Sequence, residues 1–445
     1  MSIRTLISTS IAALAMLPAL SHAQSHAQSQ LAIQTTAAPV AAPAVASAGA
    51  LRALDYHMNE RIVQVPAGAN GEALLETTVF RPDGAGPFPL IVINHGKDPG
   101  RPSAQQRDRF YHMATAFVKR GYAVMVPMRQ GFSKSGGSYR EHGCDMTANG
   151  YTQAEDVRAT LDFARQQPWV DADHMVVAGQ SYGGLATIAL GTQILPGVRG
   201  LINFAGGLRD DSDRCAWRSQ LVSAFAEYGA KAKLPSLWMY GQNDSLFGPE
   251  LAQRMHDAYA QAGGRGRLVE FAAFKRDSHG MLASRDGEKV WLGDTEQFLK
   301  EIGMPTEVVF DVAPMPSPAR TGFAKVDDVA AVPFLSENGR RAYADYLTKM
   351  TPRAFAVSPS GAWTWAEEGE DPDGRALATC SAKSKEPCRL YSVDDYVVWN
   401  DERLDQAEKA SATAALTPAP APAPSTVPAV ASTAPTTSVG STTVR

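Results

Sequence analysis

Cysteine is scarce: four residues in a chain of 445, Cys144, Cys215, Cys380 and Cys388. None stands with histidine at metal-ligand spacing, so neither a zinc site nor another metal centre is indicated, and no cofactor is expected. A marked excess of one sign of charge is also missing. Lys and Arg total 42 against 46 Asp and Glu, a net −4 without a basic stripe, and a nucleic-acid partner therefore lacks its electrostatic footprint. Charge is absent altogether from 24 to 50 and from 411 to 444, stretches of mostly Ala, Ser, Thr and Pro with a repeated Ala-Pro from Pro418 to Pro424. Such segments cannot bury enough apolar surface to offset their ordering entropy. They read as a flexible leader and a disordered tail.

The first residues carry a positive start at Arg4, an uncharged apolar run from Leu6 to Leu20, and small residues in Ser21-His22-Ala23 before Gln24. That is the layout of a signal peptide cleaved after Ala23. A retained anchor is the alternative, but the run is short of the ~20 residues needed to span hydrocarbon. No stable membrane span is expected after cleavage. Export to a periplasm or the medium implies an oxidising compartment that permits disulfides. Four cysteines allow three pairings. Cys380 and Cys388 are near neighbours in a polar, turn-like stretch, which leaves Cys144 for Cys215; two buried free thiols there are the other possibility.

What remains is ordinary globular sequence, 44% hydrophobic, long enough for one large and one small domain. Strand patterns at 74–80, 89–94, 122–127, 175–178, 200–204, 235–240 and 268–274 alternate with helical patterns at 104–120, 152–167, 183–190, 250–262 and 288–302. In the helix at 152–167, for example, Ala154, Val157, Leu161 and Ala164 are spaced for burial on one side. Repeated alternation predicts an α/β fold, a mostly parallel sheet with helices on both faces. We expect this catalytic domain over 51–304, with a lid or cap insertion at 205–234. A linker follows at 305–330, then a small disulfide-stapled domain at 331–405 holding Trp363, Trp365 and Trp399, and the tail from 406.

Gly179-Gln180-Ser181-Tyr182-Gly183 matches G-x-S-x-G. Alone the match is weak, since chance supplies about 0.15 in a chain this long. Here it follows the buried strand pattern Met175-Val176-Val177-Ala178 and precedes an apolar helix, the context of a nucleophile elbow. A serine hydroxyl needs a base at neutral pH, and histidine titrates in the right range. Of nine histidines, His22 and His26 lie in or near the leader and His57 precedes the first strand. His112 and His256 fall in helices, His174 opens a strand, and His95 and His142 come before Ser181. His279 instead sits in a loop just after the last predicted strand, at the sheet end where α/β sites form. Asp244, in Gly241-Gln242-Asn243-Asp244 after another strand, is the orienting acid. Its rival Asp277, two residues from His279, would struggle to reach the ring. The carbonyl oxygen of an ester would be received by the backbone N–H of Tyr182 and by that of Lys97, in the loop after Ile91-Val92-Ile93-Asn94.

These features together resemble the dienelactone hydrolase and prolyl-oligopeptidase-like branches of the α/β-hydrolase superfamily over about residues 60–304. The resemblance rests on Asn94-His95-Gly96, on the elbow, on the Asp244 and His279 loops, and on Arg129-Gln130-Gly131-Phe132-Ser133-Lys134-Ser135-Gly136-Gly137. It implies a hydrolase with Ser181, Asp244 and His279 as its triad, and a pocket-shaping role for the Arg129 loop. Two departures bear on substrate. Dienelactone hydrolases proper use a cysteine nucleophile where this chain has Ser181, and the leader is too short for the propeller of a prolyl oligopeptidase. The expected activity is ester hydrolysis on a small-molecule substrate. A secreted serine peptidase, and a surface-binding protein on a hydrolase scaffold, are the alternatives. Trp217, Leu221 and Phe225 of the insertion are candidates to line an acyl pocket or simply to pack. The oligomeric state is not legible.

Overall fold

A computed structural model describes residues 51–210, 212 and 214–400. The expected signal peptide, leader and tail lie outside the described residues.

Eight strands form the main sheet: β1 (Arg61–Ala67), β2 (Ala73–Phe80), β3 (Phe88–Asn94), β4 (Ala123–Pro127), β5 (Val170–Gln180), β6 (Val198–Phe204), β7 (Ser236–Gly241) and β8 (Gly266–Phe271). Their spatial order is β1-β2-β4-β3-β5-β6-β7-β8. Only β2 runs against its neighbours; the pairs from β4 to β8 are parallel. That order, with the second strand reversed, is the α/β-hydrolase sheet. Inner strands of such a sheet are buried on both faces and therefore read as continuous apolar runs. Along β3, Leu90 and Val92 enter one core while Ile91 and Ile93 enter the other. Helices α1 (Tyr111–Lys119) and α6 (Glu288–Glu301) cover the second face, with Phe117, Trp291 and Phe298. The opposite face takes α2 (Met146–Ala164), α3 (Tyr182–Leu190), α4 (Trp217–Lys231) and α5 (Pro249–Gln261).

Three expectations differ from the structure. The helix expected from residue 104 begins only at Tyr111, because Phe110 is in the left-handed region at φ 46° and Gln105 is turned to bond the backbone of Asp98. The segment expected as a lid is the β6–β7 connection, and its helix α4 is part of the core. Lifting it would expose Trp217, Leu221, Phe225 and Tyr228, four large side chains at about 1.5–3 kcal/mol each, comparable with a domain's whole stability. Phe225 packs on Trp238 with ring centroids 4.8 Å apart, so Leu221 and Phe225 are packing residues. The expected linker is likewise not free. Phe310–Val312 pairs in parallel with Arg52–Leu54, the Tyr122 hydroxyl donates to Pro305 O at 2.7 Å, and Phe310 and Val312 are buried in the core.

Beyond it, β9 (Arg353–Val357), β10 (Trp363–Glu367), β11 (Arg389–Val393) and β12 (Tyr396–Val397) form an antiparallel sheet in the order β10-β9-β11-β12. Because strand side chains alternate, β9 sends Phe355 and Val357 to Tyr343 and Tyr346 of α7 (Glu337–Tyr346), and Ala354 and Ala356 to α8 (Pro372–Ser381). The Cys380–Cys388 disulfide ties α8 to the approach of β11, and Cys144–Cys215 ties the start of α2 to that of α4. Among the described residues no helix is long and apolar enough to cross a membrane.

The small sheet unit docks on the large one through the turn after β10. Glu370 accepts the Tyr111 N–H at 2.8 Å, capping α1 where its own N-cap residue supplies no side-chain bond. Burial and the nearby Asp108 carboxylate push Glu370 up to about 8, against the pull of the Tyr111 N–H and Arg109. Burial and the neighbouring Asp98 likewise push Asp108 up to about 7. A carboxyl whose folded pKa lies above its unfolded one holds a proton that the unfolded chain has lost, so stability falls as pH rises between the two values. The wild-type melting temperature should therefore drop from pH 5 to pH 9 more steeply than that of Glu370→Gln. The two should coincide near pH 5, and the variant should melt several degrees higher at pH 9, each kcal/mol being worth about 2–4 °C. Parallel pH–melting curves would reject the assignment.

Candidate active site

Ser181 closes β5 and precedes α3, with φ 54° and ψ −122°. A non-glycine residue at such angles carries roughly 1–3 kcal/mol of strain and is held there by its surroundings. The surroundings are tight: a Cβ on Gly183 would lie 2.2 Å from Asn94 O, and one on Gly179 would lie 2.2 Å from Gly183 O. These approaches let the strand, the helix and the end of β3 meet at one point. Phe204 O accepts the Ser181 N–H at 3.0 Å, while Ser181 O accepts from Gly184, Leu185 and Gly207. Tyr182 is the first residue of α3, where backbone N–H groups have no intrahelical acceptor and the helix end favours negative charge.

The loop after β3 lies against this elbow. A Cβ on Gly96 would sit 3.2 Å from Ser181 Cβ and 3.7 Å from its Oγ, and half-buried Lys97 follows. The Lys97 ammonium is 5.8 Å from the centroid of the Tyr139 ring. His95 is fully buried and both ring nitrogens are spent: Nε2 accepts the Arg129 N–H at 3.0 Å, and Nδ1 lies 2.7 Å from Gly96 O. Burial, then Arg129, hold its pKa well below 6.5, so it stays neutral. Arg129 itself is wholly buried, donating to His95 O at 2.6 Å and to Gln153 Oε1 at 2.8 Å. Burial lowers it to about 10, still cationic at neutral pH. Its guanidinium turns the loop's carbonyls inward. The Arg129 stretch is visible in the sequence, but its bond to the loop after β3 is not.

On the other side, His279 Nδ1 lies 3.1 Å from Asp244 Oδ2. The Asp244 side chain is inaccessible to solvent, and Oδ1 accepts the N–H groups of Leu246 and Phe247 at 2.9 and 2.8 Å. The rival Asp277 does not bond the ring. It accepts the backbone N–H of His279 at 2.9 Å and the Ser245 hydroxyl at 2.6 Å. Burial raises Asp277, but these bonds outweigh it and leave the carboxylate below its ordinary range. The Phe247 ring stands edge-on to the imidazole, centroids 5.5 Å apart. Gln180 Nε2 donates to His279 O at 2.7 Å, tying the elbow to the histidine loop. Gln180 and Phe247 were missed in the sequence. The first fills a variable position of the motif, and the second carries no local signal.

The arrangement combines a strained serine turn at the end of a strand, an imidazole oriented by a carboxylate, and a helix N-terminus beside the serine. Such a set suits attack on a carbonyl. Among the described residues, no group of His, Cys, Asp and Glu is set to hold a metal ion.

Residues 70–209 match the family described as X-Pro dipeptidyl-peptidase (S15 family), less than a third of the chain. Among solved structures, the Pyrococcus furiosus esterase Pf2001 is 17% identical, with a TM-score of 0.42 over 56% of this chain and 95% of that one. Thermogutta terrifontis esterase 2 is 18% identical, with a TM-score of 0.41 over 56% of this chain and 97% of its own. Dipeptidyl peptidase 4 of Porphyromonas gingivalis is 16% identical, with a TM-score of 0.42 over 54% of this chain and 35% of its own.

Proposed function

We propose that this protein, a serine hydrolase of the α/β-hydrolase superfamily, cleaves carboxylic esters of small molecules through an acyl-enzyme. The observation that carries the reading is the conjunction of the strained Ser181 turn with the His279–Asp244 pair at 3.1 Å, joined by the 2.7 Å bond from Gln180 to His279 O. In this reading the Ser181 oxygen attacks the ester carbonyl and its proton passes to His279 Nε2. Asp244 keeps the other imidazole proton on Nδ1 and stabilises the cation formed. The backbone N–H groups of Tyr182 and Lys97 receive the charge that develops on the carbonyl oxygen. The tetrahedral adduct then expels the alcohol, which takes the proton from His279. Water repeats the sequence, releasing the acid and restoring Ser181. The reading includes export, supported by the two disulfides and the leader pattern.

The family match favours a second reading, a peptidase. Such an enzyme usually needs a carboxylate for the substrate's amine. Glu368 stands beside the histidine loop, its Oε2 3.9 Å from where a Cβ on Gly280 would be, but Arg276, Lys275 and the Tyr111 N–H already engage Glu367, Glu368 and Glu370. At Glu367 and Glu368 a substrate amine would have to displace an internal cation, and burial holds Glu370 up at about 8, so esters fit better. The test is turnover of p-nitrophenyl esters of graded chain length beside aminoacyl-anilides, by the wild type and Ser181→Ala. Ester cleavage that disappears in the variant is expected, and the chain-length optimum sizes the pocket. Anilide cleavage alone would establish the peptidase, and activity on neither would overturn both readings.

A further inference from the structure

We propose that Lys275 is a positioning residue for His279: its buried ammonium closes the loop that carries the histidine and fastens that loop to the C-terminal sheet unit. The inference rests on His279 acting as the base.

Lys275 adopts φ 48°, and its side chain is only 12% exposed. Burying an ammonium is costly unless its donors and its charge are both answered, and here they are answered from two directions. Within the loop, Nζ donates to Ser284 Oγ at 2.9 Å and lies 3.4 Å from Asp286 Oδ2. Residues 275 and 284–286 are thereby drawn together at the base of a loop whose far part holds His279. From the C-terminal unit, Thr351 O accepts from Nζ at 2.5 Å and Glu368 Oε1 lies 3.4 Å away. Of the three protons of an ammonium, two go to Ser284 and Thr351, and the two carboxylates at 3.4 Å answer the charge.

Further contacts follow the same pattern. Glu368 Oε2 lies 3.9 Å from where a Cβ on Gly280, the residue after His279, would stand. Arg276 pairs with Glu367, and Arg285 with Asp394 at 3.6 Å. These two pairs are largely exposed on the arginine side, where solvent leaves little net attraction. Lys275 is the recessed member. On the side of the acid, Asn243 Nδ2 donates to Lys275 O at 3.1 Å, while Asn243 Oδ1 accepts from the Phe274 N–H at 3.0 Å and from the Ser278 hydroxyl. The residue beside Asp244 therefore grips the start of the same loop. The His279–Asp244 distance is set by a loop held at its base from three segments, and the ammonium is where two of them meet. Displacing a reacting group by about 1 Å can cost ~10²-fold in rate.

The experiment reads Ser181 labelling by a fluorophosphonate, which requires the activated serine but no particular substrate, together with kcat and KM on the best p-nitrophenyl ester. Lys275→Met should slow labelling and lower kcat by about 10- to 100-fold, with KM changed less than about threefold. Lys275→Arg, which keeps the charge, should recover part of the loss. Glu368→Gln, which removes one partner and leaves the ammonium, should give a smaller loss, about threefold or more, again in kcat. It keeps the test decisive if Lys275→Met does not fold. Failure of wild-type Ser181 to label would overturn the hydrolase reading itself. Normal wild-type labelling with wild-type rates in folded Lys275→Met or in Glu368→Gln would overturn the positioning role alone. A loss confined to KM would overturn it as well.

Discussion

Ser181→Ala is expected to lower kcat for ester hydrolysis by about 10⁴-fold or more, leaving only what the main-chain donors and binding supply. The fold should be indifferent to the change. Alanine has the same Cβ as serine, so the strain at φ 54° is neither relieved nor increased. The N–H and C=O of residue 181 keep their partners at Phe204, Gly184, Leu185 and Gly207. Circular dichroism and the melting temperature should match the wild type within about 1 °C, a shift well below that of a 1 kcal/mol change. A variant that retains more than a tenth of the wild-type rate would remove Ser181 from the chemistry.

Asp244→Asn should cost nearly as much, about 10⁴-fold in kcat, by a different route. An asparagine oxygen can keep accepting the N–H groups of Leu246 and Phe247 that Oδ1 now accepts. Its NH₂ then faces His279 Nδ1 and donates to it. The imidazole proton is forced onto Nε2, and the nitrogen that must take the serine's proton is no longer a base. Asp277→Asn supplies the control, because Asp277 bonds the backbone of His279 and the hydroxyl of Ser245. It should cost less than about tenfold, as the loss of an anchoring bond outside the reacting groups. Equal losses in the two variants would mean that the acid is wrongly assigned.

The two aspartates also show where reading the chain stops. Asp244 and Asp277 are both loop carboxylates near a predicted strand end, and their sequence positions favour one only by an argument about reach. The separation comes from the fold, which directs one carboxylate to the imidazole and the other to a backbone N–H. His95-Gly96-Lys97 was legible as a loop after a strand, yet the buried Arg129 that holds its carbonyls is 34 residues from His95 in the chain. The segment at 205–234 shows the opposite error. Its charges and aromatics suggested a cover, whereas Leu221, Phe225 and Tyr228 lie on the buried side of α4. A helix with one apolar side reads alike whether that side meets a substrate or a sheet.

What the sequence determined by itself is whatever depends on neighbours in the chain. The strand–helix alternation, the buried runs of β3 and β5 and the glycine-framed turn at Ser181 are all of this kind, because local periodicity and turn chemistry carry them. What only the tertiary structure decided are pairings between distant segments. These include Glu370 capping α1 across 259 residues, the expected linker paired with Arg52–Leu54, and Lys275 reaching Thr351 76 residues on. Each depends on a few ångströms of approach between surfaces that share no local pattern, so the contact exists only once both units are folded and docked.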